Sequence, residues 1–276
     1  MNSLYKEIGI SKQAVYQYEK RQSVFDGQVA RLIVDADQLR RSHPGCGVEK
    51  MYHILKPDFI GRDRFVELMM SLGYRIKRKK NYKRTTIAAK ANYPNLIKGI
   101  HLNGPSQLWQ SDITYVRIAE RFYYAVFIID VYTKVIVGYC VSDSLRATAN
   151  LKALKMAFKD YKPPGIHHSD RGSQYTAKDY IALLEDKNCA ISMGLTAQDN
   201  AYAERINRTI KEEYLQDWKP KNLIQLKRDI KTAVSNYNTV RAHQSLGYQT
   251  PKDFEKKISL LACQQRKTIT IFDNEN

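Results

Sequence analysis

Leu108-Trp109-Gln110-Ser111-Asp112-Ile113-Thr114-Tyr115-Val116 reads as a β-strand. Its β-branched and aromatic residues suit a pleated, half-buried surface, and no Gly or Pro interrupts it. Residues 122–130 and 134–141 have the same character. Short turns at Ala119-Glu120-Arg121 and Val131-Tyr132-Thr133 separate them, so three antiparallel strands are expected. The pattern then changes period. Leu151, Leu154 and Phe158 recur at near-helical spacing within 148–161, and Pro163-Pro164-Gly165 stops that helix. A strand at 165–170, a helix at 177–187, a strand at 189–193 and a helix opened by Asp199-Asn200-Ala201 follow. Three strands followed by alternating helices and strands predict an α/β fold, a mixed five-stranded sheet with flanking helices.

This frame brings three carboxylates into prominence. Asp112 lies inside the first strand, Asp170 closes a later strand before the turn Arg171-Gly172-Ser173, and Glu204 lies in the first turns of a helix. Hard oxygen ligands from separate elements suit Mg²⁺, with Mn²⁺ able to substitute. Two such ions about 4 Å apart can activate an attacking oxygen and stabilise a leaving one in phosphoryl transfer. Positions 204, 208 and 211 share one helix face. Arg208 and Lys211 are therefore candidates to hold a phosphate beside Glu204, as is Arg171 beside Asp170. Ala203, Ile206 and Ile210 form the adjoining stripe expected to be buried. Asp130 ends a strand before a turn and Asp199 opens a helix, and both positions favour local hydrogen bonding over metal ligation. Glu212 and Glu213 read as surface residues or salt-bridge partners. His168 shares a strand face with Asp170 and either supports the site or packs. Arg241 and His243 either bind phosphate or cap a helix.

The chain has 276 residues, 43% of them hydrophobic, enough for a substantial core. With 45 Lys and Arg against 28 Asp and Glu, the formal charge is +17, which favours a polyanionic partner. Cys46, Cys140, Cys189 and Cys263 are too scattered for a metal finger or redox pair and read as reduced thiols of a cytosolic protein. The N-terminal residues lack the pattern of a secretory signal, and the longest apolar stretch, around 125–129, is too short to span a bilayer. Residues 1–76 read as short helices. Gly9 and Ser11 form a turn and N-cap before a basic helix at 12–20 shaped like a recognition helix. A second pair, at 48–55 and 62–72, would place Arg62 and Arg64 at the start of its second helix, where DNA contacts are common. Residues 77–104 contain a basic run, with Lys79 and Lys80 as candidate DNA contacts, and read as a linker.

Several motifs carry a resemblance. Trp109-Gln110-Ser111-Asp112-Ile113-Thr114-Tyr115 resembles the first-aspartate strand of OrfB-type transposases of insertion sequences with two overlapping reading frames. His168-Ser169-Asp170-Arg171-Gly172-Ser173-Gln174-Tyr175 resembles their second-aspartate motif, and Asp199-Asn200-Ala201-Tyr202-Ala203-Glu204 with Lys211-Glu212-Glu213 their third. Tyr237-Asn238-Thr239-Val240-Arg241-Ala242-His243, then Ser245-Leu246-Gly247-Tyr248 and Thr250-Pro251, resembles their C-terminal signature. The 33 residues between Asp170 and Glu204 are slightly fewer than is usual there, and the shortening falls in the loop 193–198. The resemblance implies an RNase H-like, retroviral-integrase-like DDE core that cleaves DNA at element ends and transfers strands. Asp112 would bridge two ions, and Asp170 and Glu204 would hold one each. It also implies partners: terminal repeats and target DNA, further copies of the chain on DNA, and an upstream-frame OrfA-type protein. No membrane partner is expected, and the location would be cytoplasmic and chromosome-associated. The expected division is a helix-turn-helix-like DNA-binding region at 1–76, the linker at 77–104, the core at 105–218 and a helical extension at 219–276. Two other functions compete: a non-catalytic DNA-binding regulator, and an RNase H-like nuclease that hydrolyses without strand transfer.

Overall fold

A computed structural model describes residue 9 and residues 11–76, 93–194 and 196–271. The basic run that includes Lys79 and Lys80 lies outside the described residues. The chain forms two compact units, one from residues 1–42 and 46–76, the other from 43–45 and 77–276.

The first unit is helical. Ser11 accepts the backbone N–H of Ala14 as expected of an N-cap, but the helix it starts does not stop after two turns. It runs as α1 through Lys12–Ser42, 31 residues, so the expected short recognition helix is the beginning of a long one. No Pro interrupts it, and Leu32, Ala36 and Leu39 bury its second half. Helices α2 (Val48–Leu55) and α3 (Arg62–Ser71) follow where expected, with Met51, Phe65 and Met69 buried. The edge-to-face pair of Phe25 and Phe59, 5.7 Å between centroids, ties α1 to the turn between them.

The second unit is built on a sheet. A short strand, β1 (His101–Leu102), precedes β2 (Leu108–Ile118), β3 (Arg121–Asp130) and β4 (Ile136–Ser142). Helix α4 (Ala147–Asp160), β5 (Ile166–Ser169), α5 (Lys178–Asp186) and β6 (Ala190–Met193) follow. A 3₁₀ turn, Ala197–Asn200, leads into α6 (Ala201–Ile210), which passes directly into a π-turn, Lys211–Leu215. Helices α7 (Leu223–Thr239) and α8 (Pro251–Ser259) come next, and a short strand, β7 (Ile269–Thr270), follows them. Strand order in the five-stranded sheet is β4-β3-β2-β5-β6, antiparallel through β4, β3 and β2, then parallel through β5 and β6.

Alternation along β3 divides the core. Ala125, Phe127 and Ile129 face α6 and α7, meeting Ala203, Ile206, Ile210, Ile230 and Ala233. Val126 and Ile128 face α4 and α5, meeting Ala153, Leu154, Ala157 and Leu184. A period of two on a central strand with a helix layer on each side makes both faces apolar. Gly138 lets α4 lie flush on the sheet, because a Cβ there would stand 2.3 Å from the Ala153 carbonyl oxygen. Residues 269–271 return to this unit. His101 and Leu102 pair with Thr270 and Ile269, and Ile271 is buried. Thr250 caps α8 by accepting the Asp253 N–H, with Pro251 opening the helix.

Candidate active site

Register brings the two aspartates together. In the parallel pair of β2 and β5, Gln110 is level with His168 and Ser111 with Ser169. Asp112 and Asp170 are the next residues along, on neighbouring strands about 4.8 Å apart. Gln110 and His168 share their face with these aspartates. That face meets α6, where Asn207 donates its Nδ2–H to Asp112 Oδ2 at 2.7 Å. Glu204 lies one turn earlier on the same helix.

Crowding of like charge marks the site. Burial, then the negative charge of Asp170, pushes the Asp112 carboxyl up to about 8, with a smaller push from Glu204. Hydrogen bonds from the Ile113 N–H and Asn207 oppose the rise without cancelling it. Asp170 is also raised, chiefly by burial, against the Gly172 N–H it accepts. Glu204 is raised by burial, and Arg208 on the next turn pulls it back. Lys211, half-buried at the head of the π-turn, is lowered by burial and held up by Asp112. Arg171 is half-buried beside Asp170, and its buried Nε has no acceptor among the described residues.

Among the described residues, no three His, Cys, Asp or Glu side chains stand close enough together to hold one ion. Mg²⁺ does not require three, since it keeps several waters and binds through one or two carboxylates plus phosphate. The donors here fit such an ion. They are all oxygens, their mutual repulsion is relieved by a cation, and the buried Asn207 Oδ1 beside Asp112 has no hydrogen-bond partner among the described residues.

The remaining sequence candidates separate cleanly. Asp130 is structural: it accepts from Ser106 N, Thr133 N, Thr133 Oγ1 and Trp109 Nε1. Asp199 accepts from Thr196 N and closes a capping box before α6. His168 and its neighbour His167 are both buried. His167 meets the Tyr180 hydroxyl, and His168 Nδ1 meets Ser192 Oγ at 2.8 Å. Burial lowers them to about 3 and about 4, so both are neutral at physiological pH. Arg241 and Glu213 pair in the interior, so neither is a surface residue. Arg62 and Arg64 belong to the helical unit, where Arg62 pairs with Asp63 and Arg64 lies over Phe25.

Sequence reasoning missed three amides: Gln110, Asn200 and Asn207. Gln110 and Asn207 left a weak trace. Gln110 is two residues before Asp112, on the same strand face, and Asn207 is three residues after Glu204, on the same helix face.

The raised Asp112 carboxyl has a consequence for stability. In the unfolded chain it ionises near pH 4; in the native chain it holds its proton to about 8. Between those values the native state binds the extra proton, so this group lowers stability as pH rises, by at most about 1.4 kcal/mol per pH unit. Urea unfolding of the metal-free protein at pH 5, 6.5 and 8 is expected to show this loss relative to Asp112→Asn. Parallel curves for the two proteins across that range would contradict it.

The chain resembles known proteins over most of its length. Two integrase core domain families match, one over residues 103–198 and one over 188–251. The Shigella sonnei transposase for insertion sequence element IS629 is 33% identical over 92% of this chain and 90% of its own length. The insertion element IS600 uncharacterized 31 kDa protein, also of Shigella sonnei, is 35% identical over 74% of this chain and 78% of its own. A simian T-cell lymphotropic virus intasome, solved by cryo-electron microscopy with PP2A regulatory subunit B56 gamma, superposes with a TM-score of 0.54. The match covers 79% of this chain and 78% of that one at 13% identity, a likeness of fold alone. The expectation of an RNase H-like sheet is therefore met, and no helix among the described residues is long and apolar enough to cross a membrane. With the core families matched and a relative of this identity aligned almost end to end, the chain belongs to the insertion-sequence transposases, enzymes of the polynucleotidyl transferase type built on an integrase core.

Proposed function

We propose that this transposase cleaves DNA at the ends of its element and joins the freed 3′ ends to target DNA, with Asp112, Asp170 and Glu204 as the catalytic carboxylates. The carrying observation is that Asp112 and Asp170 leave paired strands side by side, under the helix that bears Glu204. A binding surface alone has no use for buried like charges facing phosphate, since they cost affinity unless a cation intervenes. Integrase-like cores generally work with a divalent metal. Bound here, Mg²⁺ or Mn²⁺ would supply Lewis-acid charge and lower the pKa of the attacking oxygen. Two carboxylates would serve each ion, Asp112 with Asp170 for one and Asp112 with Glu204 for the other. Arg208 and Lys211, on the helix face of Glu204, would hold the phosphate, and Arg171 would meet it from the β5 side. Arg62 and Arg64 would carry DNA contacts in the helical region, and Lys79 and Lys80 in the basic run. Function on paired ends implies several copies of the chain on one DNA complex.

The test is a strand-transfer assay with labelled element ends in Mg²⁺. Joined products support the reading, whereas cleaved ends without joining indicate a hydrolase. The phosphate stripe has its own check. Lys211→Ala is expected to weaken binding about equally across sequences and to reduce the salt dependence by roughly one unit of slope. Lys267→Ala, an exposed position far along the chain, is expected to do much less. Indistinguishable salt titrations of the two would remove Lys211 from the DNA path.

A further inference from the structure

Gln110 is fully buried on β2, two residues before Asp112 and on the same strand face. Its amide is used at both ends. Nε2 donates to the Asp199 carbonyl at 3.2 Å, and Oε1 accepts the Tyr202 N–H at 3.1 Å. Those two backbone groups flank the start of α6, the second of them two residues ahead of Glu204. A second amide reinforces the junction: Asn200 Nδ2 donates to the Ser111 carbonyl at 2.9 Å. Below the site, Gln110 is level with His168 on β5, and His168 is level with Ser192 on β6, making a buried polar row under the carboxylates. The short loop is held there too. Gly194 donates to the Ser169 carbonyl, and a Cβ on Gly194 would stand 2.8 Å from Asp199 Cβ.

We propose that Gln110 is a positioning residue that fixes Glu204 relative to Asp112 by clamping the start of α6 to the strand that bears the aspartate. This rests on the metal-dependent reading above. Helix α6 otherwise meets the sheet through Ala203, Ile206 and Ile210. Apolar contact of that kind is non-directional and tolerates axial sliding. Two hydrogen bonds to backbone groups on either side of the helix start do not. Because a misplacement of about 1 Å can cost about 100-fold in rate, a clamp at this position acts on chemistry more than on folding.

The test compares Gln110→Met with Asn238→Ala. Met conserves volume and removes both hydrogen bonds. Asn238 is a matched control: it is also buried and double-ended, bonding the N–H and carbonyl of Ile136 on β4, away from the carboxylates. Mn²⁺ affinity is read by calorimetry on the DNA-free full chain, with Tm alongside. Gln110→Met is expected to weaken Mn²⁺ binding about 10-fold and to slow cleavage at saturating DNA about 100-fold. The half-saturating DNA concentration should stay within about twofold. Asn238→Ala is expected to lower Tm comparably and leave Mn²⁺ affinity unchanged. Gln110→Ala serves if the Met variant does not fold. Parent-like Mn²⁺ affinity in the Gln110 variant would overturn the clamp and leave the metal reading standing. Loss in both variants in proportion to Tm would reduce Gln110 to a stability residue. A parent chain that binds no Mn²⁺ would overturn the metal reading itself, and the clamp with it.

Discussion

Asp112→Asn, Asp170→Asn and Glu204→Gln are each expected to lower cleavage of labelled element ends by about 1,000-fold or more, with DNA affinity kept within about threefold. Each substitution keeps shape and removes one ionisable oxygen pair. The chemistry depends on that charge, whereas DNA affinity comes from the basic surface, so the two should part company. Asn at 112 can still accept the hydrogen bond that Asn207 donates to Asp112 Oδ2. It also relieves the repulsion between Asp112 and Asp170 that pushes the Asp112 carboxyl up to about 8. The metal-free Asp112→Asn protein should therefore be at least as stable as the parent near neutral pH, and lost activity could not be blamed on unfolding. Cleavage and gel binding measured on one DNA, with a urea curve for each variant, check all three. A variant that cleaves near the parent rate removes its residue from the site.

Arg241→Met is expected to produce the largest loss of stability, about 3–5 kcal/mol. Glu213 lies in the π-turn that continues α6, and its two carboxylate oxygens take the Arg241 Nε and Nη2 at 2.7 Å each. His43 Nε2 reaches Glu213 Oε2 at 2.9 Å, and the Gly45 N–H donates to the Glu213 carbonyl. Removing the Arg241 guanidinium takes the two-pronged charge partner from a buried carboxylate and leaves His43 at its Oε2, and the loss of that compensation dominates the effect. The double substitution Glu213→Leu with Arg241→Met should recover much of it, because an apolar pair needs no partner, although His43 also loses an acceptor. Chemical denaturation of the singles and the double gives the coupling. A cost below about 1 kcal/mol for Arg241→Met would show that the pair is not a fixed part of the fold.

These two expectations differ in how far the chain alone announced them. The carboxylates stood out because each sits at a position set by local pattern: inside an alternating strand, at a strand end before a turn, in the first turn of a capped helix. The buried stripe Ala203, Ile206 and Ile210 was legible for the same reason, and all three are buried. Arg241 and His243 were conspicuous as a motif and undecided as a role. Their meaning depends on Glu213, 28 residues from Arg241, and nothing periodic links the two. Helix α1 was read too short because polarity at 12–20 resembles a complete small helix, while the residues that bury it, Leu32, Ala36 and Leu39, lie more than about three turns beyond.

By itself the sequence determined what short-range physics controls: the change from a period of two to one near 3.6, the caps at Ser11 and Thr250, the turn after Asp170 and the excess of positive charge. Tertiary structure alone decided which buried amides and ions meet. Gln110 finds Asp199 and Tyr202 at separations of 89 and 92 residues, Asn207 finds Asp112 at 95, and the tail finds β1 at 169. Hydrogen bonds of that reach are set by register between strands and by where a helix lands on a sheet. Neither leaves a repeating mark on the chain, because each partner is one residue chosen by geometry and not by its neighbours in sequence.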